Sequence, residues 1–216
     1  SAADLRGKTL ATPQLGNTQD VALRYWLKEQ GFTTNTDGGG DVAIQPQSNS
    51  EGLTAFSSGA IDGAWVPEPW VAEYKEAGAK VLVDEKTLWP EGKFVTTNIL
   101  VRTEFLKEHP DIVKGFLEGH VAALDQIEKD PKAAQASANA SLQSLTGSSL
   151  DGPVLTAAWE QMEFTADPLE PTLVESAQHA VDVGLLDQSQ LDAAGGLPGG
   201  LYDLTLINEV LTAAGD

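Results

Sequence analysis

A change of period at about residue 102 constrains this chain more than any other feature. Before it, short β-rich runs alternate with helical ones; after it, nearly everything reads helical. The strand candidates are "KTLAT" (8–12), "DVAIQPQ" (41–47), "GAWVPE" (63–68), "KVLVDE" (80–85) and "FVTTNILV" (94–101). The helices between them have readable ends. The first starts near Asn17 or Thr18, buries Ala22, Leu23, Trp26 and Leu27, and stops at Gly31, a usual left-handed C-terminal position. The second runs from Ser50 to Ser58, and the third follows Pro69 and ends near Gly78. Strand, helix, strand, helix predicts an α/β unit with a parallel sheet and right-handed crossovers.

From Thr103 onward the runs "TEFLKEH", "PDIVKGFLEGHVAALDQIEK", "PKAAQASANASLQSL", "PVLTAAWEQM", "PTLVESAQHAVDVGLL" and "LYDLTLINEVLTAAG" read as helices. Pro110, Pro131, Pro153 and Pro171 stand near the openings of four of them. "GGGD" (38–41) and "AAGGLPGG" (193–200) read as flexible loops. The helical half has no sheet of its own to cover. Its apolar faces either form a bundle or pack on strands from outside this sequence.

Composition removes several function classes. The 216 residues are 41% hydrophobic, enough for a packed core, and carry a formal charge of −19. That charge argues against nucleic acid and anionic membrane surfaces as partners, since both recruit basic patches. With no cysteine, thiol catalysis, disulfides and cysteine-ligated zinc are excluded. His109, His120 and His179 are too scattered for a metal pattern, and no phosphate-loop glycine motif or nucleophile elbow is present. Nothing in the sequence calls for a cofactor or an enzyme.

The stretch "TPQLGNTQD" (12–20) carries the best ligand signal. It joins the carboxyl end of a parallel strand to a helix N-terminus, the place where open α/β sheets bind ligands. Free amides and the helix dipole there favour an anion by about 0.3–1 kcal/mol. Gly16 lets the backbone approach closely, and Gln14, Asn17 and Thr18 offer side-chain donors. An Asn or Thr cap beside a glycine turn explains the same residues without a ligand. "DGAWVPEPW" (62–70) repeats the topology. It sets Trp65, Glu68 and Trp70 near the same sheet edge, where the indoles can wall a ligand and Glu68 can accept from an ammonium. The alternative is that the tryptophans are core and Glu68 caps the helix after Pro69. Thr96, Thr97 and Asn98 interrupt an apolar run and either face a cleft or pair on a sheet surface.

Together "ADLRGKTLATPQLGNTQDVALRYWLKEQG", "GAIDGAWVPEPW" and "FVTTNILVRTEFLKEHPDIVKGFLEGH" resemble the substrate-binding proteins of nitrate, sulfonate and taurine ABC importers. The likeness covers most of residues 3–125. It implies the two-lobed periplasmic-binding-protein type II fold, with ligand captured in an interlobe cleft and delivered to a membrane permease. On that resemblance residues 1–95 form the α/β lobe two. Residues 96–216 hold the strand crossing back and the helical C-terminal part of lobe one, whose opening elements would stand before Ser1. Gln14, Gly16, Asn17, Thr18 and Gln19 match the helix start that holds the ligand's acidic head, and Trp65, Glu68 and Trp70 match the segment opposite. The implied ligand is a small anionic or zwitterionic sulfonate or related oxoanion. Glu68 tilts the choice toward a sulfonate bearing an amine, such as taurine, over bare nitrate. The implied setting is extracytoplasmic, periplasmic or lipid-anchored, with a monomer as the working form. Two other readings stay open: an enzyme of pyrimidine- or menaquinone-precursor chemistry on the same fold, and the ligand-sensing lobe of a regulator.

Overall fold

The computed structural model describes residues 1–193 and 202–215. The described residues group into two units. One comprises residues 1–96 with the described part of 169–197; the other comprises 97–168 with the described part of 198–216.

The first unit is built on three parallel strands: β1 (Thr9–Thr12), β2 (Ala43–Pro46) and β3 (Gly63–Ala64), in the order β2-β1-β3. Leu10 pairs with Ile44 on one side and Gly63 on the other. Between the strands run α1 (Thr18–Glu29) and α2 (Asn49–Ser57), and after β3 comes α3 (Trp70–Glu76). Because side chains alternate across a strand, β1 serves two layers. Leu10 meets Leu23 and Leu27 of α1, with Phe32, Val42 and Ile44, in one buried cluster. Burying aliphatic side chains of this size stabilises the unit by about 1.5–3 kcal/mol each. Ala11 faces the opposite layer, where a Cβ added at Gly52 of α2 would stand 3.6 Å from the Ala11 Cβ and 2.8 Å from the Tyr74 hydroxyl. The first distance is ordinary van der Waals contact, whereas the second is too short, so a side chain at position 52 would push the Tyr74 hydroxyl aside.

Helix ends follow local chemistry. Asn17, in extended conformation (φ −75°, ψ 174°), caps α1 by accepting the Asp20 amide at 2.9 Å. Ser48 and Glu51 form a reciprocal capping box at the start of α2. The buried face of α1 differs from the expected one: Val21 and the charged Asp20 and Arg24 are buried, whereas Ala22 and Trp26 are only half-buried.

Two expected strands are absent, and one is short. β3 stops at Ala64, short of the expected residue 68, and Pro67 and Pro69 beyond it supply no amide donor to a ladder. Residues 80–85 and 94–101 carry no ladder; among the described residues no strand lies beside them, and Val81, Leu82, Ile99 and Leu100 stay exposed.

The second unit is helical: α4 (Thr103–Glu108), α5 (Pro110–Lys129), α6 (Pro131–Thr146) and α7 (Gly152–Trp159). Pro110, Pro131 and Pro153 occupy first-turn positions. Next in chain order come α8 (Glu170–Asp182), which also carries a first-turn proline, then α9 (Gln188–Ala193), which the sequence did not announce, and α10 (Thr205–Ala214). Val121 of α5 packs on Ile207 and Val210 of α10, and Lys114 bonds Glu209 at 2.7 Å beside them. Of the two outcomes open to the helical half, these helices therefore bury part of their apolar surface against one another.

The sequence reading puts 169–197 with the second part, but α8 packs on α1 of the first unit. His179 stacks on Tyr25 with ring centroids 3.6 Å apart, and Lys28 Nζ donates to the Asp182 carbonyl at 2.7 Å. Val95 adds a backbone donor to Thr172 Oγ1 at 3.2 Å. The glycine-rich run read as a loop at 193–200 falls outside the described residues beyond Ala193.

Candidate functional site

The strand order creates a switch point. From β1 the chain crosses to β2 on one side, and from β2 it returns past β1 to β3 on the other. The connections leaving β1 and β3 therefore diverge at the carboxyl edge of the sheet, where open parallel sheets form a ligand crevice. Those two connections are residues 13–17 and 65–69. They start side by side, since the Trp65 amide donates to the Ala11 carbonyl at 2.9 Å.

The first connection is held from below. The Asp20 carboxylate accepts the Thr12 hydroxyl on Oδ1 at 2.8 Å; its Oδ2 accepts the Gly16 amide at 2.9 Å and Arg24 Nε at 3.0 Å. Arg24 Nη1 continues to the Asn35 carbonyl at 3.0 Å. Both charged side chains are at most 1% exposed. Gly16 adopts φ +77° at the apex, a conformation only glycine takes at little cost, with open space where a Cβ would be.

This arrangement sorts the proposed donors. The Gly16 amide is spent on Asp20, and the Asn17 side chain is spent as the helix cap. Gln14 is exposed, Thr18 half-buried and Gln19 buried. Among the described residues the amides of Thr18 and Gln19, the first two of α1, have no hydrogen-bond partner. They are the free positive end of a twelve-residue helix.

The second connection is more committed to structure. Trp65 packs against Trp26 with ring centroids 5.8 Å apart, and its indole N–H donates to Glu85 Oε2 at 2.6 Å. Trp89 donates to the other Glu85 oxygen at 3.3 Å. Burial pushes the Glu85 carboxyl up, while the two indole donors pull it back. Glu68 accepts the Ala72 amide at 3.1 Å and so caps α3; burial raises its carboxyl above the ordinary range. Trp70, half-buried, is the first residue of α3. Thr97, exposed, and Asn98, half-buried, belong to the second unit and lie outside any ladder.

Sequence reasoning missed Asp20, Arg24 and Glu85. The first two carried a signal in their Asp-x-x-x-Arg spacing on the inner face of α1, which reads as a surface pair unless burial is known. Glu85 carried none, since it sits in a run expected to be a strand. Two open depressions in the second unit, of about 230 and 370 Å³, are lined by apolar residues with Asp125, Glu128 and Asp167. None of the ten candidate residues borders them, and their carboxylates disfavour an anion. Among the described residues no group of three or more His, Asp or Glu side chains is placed to hold a metal. No described helix is long and apolar enough to cross a membrane.

The architecture is that of the periplasmic-binding-protein class: an α/β lobe followed by a largely helical part. It aligns with the alkanesulfonate-binding protein SsuA from Xanthomonas axonopodis pv. citri bound to MOPS at a TM-score of 0.62 and 17% identity, covering 97% of this chain and 64% of that one. Residues 1–142 match the model of the NMT1-like family, and the chain belongs to that family. It is 30% identical over 131 residues to the taurine-binding periplasmic protein of Escherichia coli (strain K12), covering 59% of this chain and 38% of that protein. It is also 28% identical over 134 residues to the nitrate/nitrite binding protein NrtA of Nostoc sp. (strain PCC 7120 / SAG 25.82 / UTEX 2576), covering 62% of this chain and 24% of that one. The matched stretches thus span well under half the length of these two relatives.

Proposed function

We propose that this chain is part of the solute-binding component of an ABC importer, working outside the cytoplasm to capture a small sulfonate or related oxoanion and deliver it to a membrane permease. One observation carries the reading. The two free amides at the start of α1 stand at the switch point of a parallel sheet, in a family whose named relatives bind taurine or nitrate. In this proposal the Thr18 and Gln19 amides and the Thr18 hydroxyl hold the acidic head. Gln14, Gly16 and Asn17 shape the turn beneath it. Trp65, Glu68 and Trp70 form the neighbouring wall, where Glu68 favours a ligand that also carries an amine.

The acidic chain does not forbid this. Long-range repulsion is screened over about 8 Å in physiological salt, whereas donors in contact with the anion are not. Each charge-assisted hydrogen bond contributes about 1.5–3 kcal/mol. Capture needs no bond making, so in this proposal the chain acts as a binding protein and not as an enzyme. A formal charge of −19 argues against a nucleic-acid partner, and the monomer is the working form the family resemblance implies.

Titration calorimetry with taurine, methanesulfonate, nitrate and ethanolamine tests the proposal. Saturable binding of at least one sulfonate, with no binding of the cation ethanolamine, is expected. Failure of all three anions to bind contradicts it.

A further inference from the structure

An anion site at the start of α1 contains an apparent contradiction. Asp20, the third residue of the helix, places a carboxylate in the same turn as the amides of Thr18 and Gln19. An uncompensated charge there, fully buried and poorly screened, would oppose any anion bound at those amides. The carboxylate is nevertheless what joins the parts of the turn: it bonds Thr12 at the end of β1 and Gly16 at the apex, while the Asp20 backbone bonds the Asn17 cap. Arg24 lies one turn further along on the same inner face, with its Nε on the same oxygen that takes Gly16.

We propose that Asp20 and Arg24 are the positioning pair of this site: Asp20 clamps the turn, and Arg24 cancels the clamp's charge so that the helix start stays attractive to an oxyanion. This rests on the function proposed above and adds residues that do not themselves touch the ligand. Alone, the clamp would fix the backbone but repel the ligand. A neutral clamp would need no arginine, yet one is buried here with Nη1 on the Asn35 carbonyl and Nη2 without a partner among the described residues. Burying a guanidinium with an unmade hydrogen bond is costly, and the Asp20 charge 3.0 Å away compensates it.

The test is a set of methanesulfonate affinities on folded protein: wild type, Arg24→Lys, Arg24→Met, Asp20→Asn and Asp20→Asn/Arg24→Met. Arg24→Lys keeps a cation beside Asp20 but loses the fork that also reaches Asn35, so it is expected to bind between wild type and Arg24→Met. Arg24→Met is expected to bind at least about tenfold more weakly, and adding Asp20→Asn to it should recover most of the loss. Equal affinity of Arg24→Met and wild type, or no recovery in the double variant, overturns the proposal. If Arg24→Met does not fold, Asp20→Asn against the double variant decides. The single variant should bind more tightly because its cation is unopposed, and equal affinities overturn the proposal.

If wild type binds none of taurine, methanesulfonate and nitrate, the function reading falls and the charge-cancelling role falls with it. The clamp is then judged by hydrogen exchange at the Gly16 amide. Exchange at least about tenfold faster in Asp20→Ala than in wild type supports it, and equal rates overturn it.

Discussion

The Asp20 carboxylate and the Arg24 guanidinium meet at 3.0 Å on the inner face of α1, and neither side chain reaches water. A buried ion pair is weak evidence of net stability, but breaking one is expensive because the survivor is left charged and alone. Asp20→Ala is therefore expected to cost about 3–5 kcal/mol in urea unfolding. Removing both partners, as in Asp20→Ala/Arg24→Met, should cost clearly less than the sum of the single changes. Additive losses would show that the pair is not coupled.

Gly52 and Tyr74 set a second expectation. A Cβ at position 52 would stand 2.8 Å from the buried Tyr74 hydroxyl, which has no hydrogen-bond partner among the described residues. Gly52→Ala should destabilise by about 1–3 kcal/mol through overpacking. Tyr74→Phe removes an unpaired buried hydroxyl and should be neutral or stabilising, and in its background Gly52→Ala should cost markedly less. Full cost in both backgrounds would place the clash elsewhere.

The same hydroxyl has a spectroscopic signature. Burial pushes the Tyr74 phenol up to about 12 from an ordinary 10.0. Its folded value lies above its unfolded one, so its stabilising contribution is complete below pH 10.0 and is lost as pH rises toward 12. Absorbance at alkaline pH should show a tyrosine step that is late and coincides with unfolding, and Tyr74→Phe should reduce it while leaving the contribution of Tyr25, which burial also raises.

His179 predicts the opposite edge. Burial against Tyr25 lowers its pKa below 6.5, with the Glu175, Asp182 and Glu29 charges pulling the other way. A depressed folded value means the contribution of the neutral ring is complete above pH 6.5 and is lost as pH falls through the folded value. The protection factors of α8 amides, which correct for the slowing of intrinsic exchange in acid, should therefore fall on acidification below that point, and His179→Gln should flatten the response.

How far the sequence reached follows from the range of its signals. β1, β2, the helix start at Asn17 and the second helix, expected from Ser50 and found from Asn49, were legible because caps and apolar alternation are local. The 80–85 and 94–101 runs read as strands because Val81, Leu82, Ile99 and Leu100 are good strand residues. A strand also needs a neighbour, and among the described residues they have none. The turn at 13–19 was found by its topology, but the division of labour inside it was not. That Gly16 and Asn17 serve the fold, while the Thr18 and Gln19 amides stay free, depends on where the Asp20 side chain points. The placing of α8 on α1 rests on contacts such as the Tyr25–His179 stack and the Lys28 bond to the Asp182 carbonyl, whose partners are far apart in sequence.

Thr18→Pro removes one of the two free amides at the start of α1. Thr18 is the first residue of α1, where proline is tolerated, and Asn17 before it is already extended, so the helix should form unchanged. What disappears is the Thr18 N–H, together with its hydroxyl; Thr18→Val separates the two by removing the hydroxyl alone. Thr18→Pro should melt like wild type and bind methanesulfonate at least about tenfold more weakly, with Thr18→Val falling between. Undiminished binding by a folded Thr18→Pro variant would contradict the proposed site, because the anion would then be held somewhere other than the start of α1.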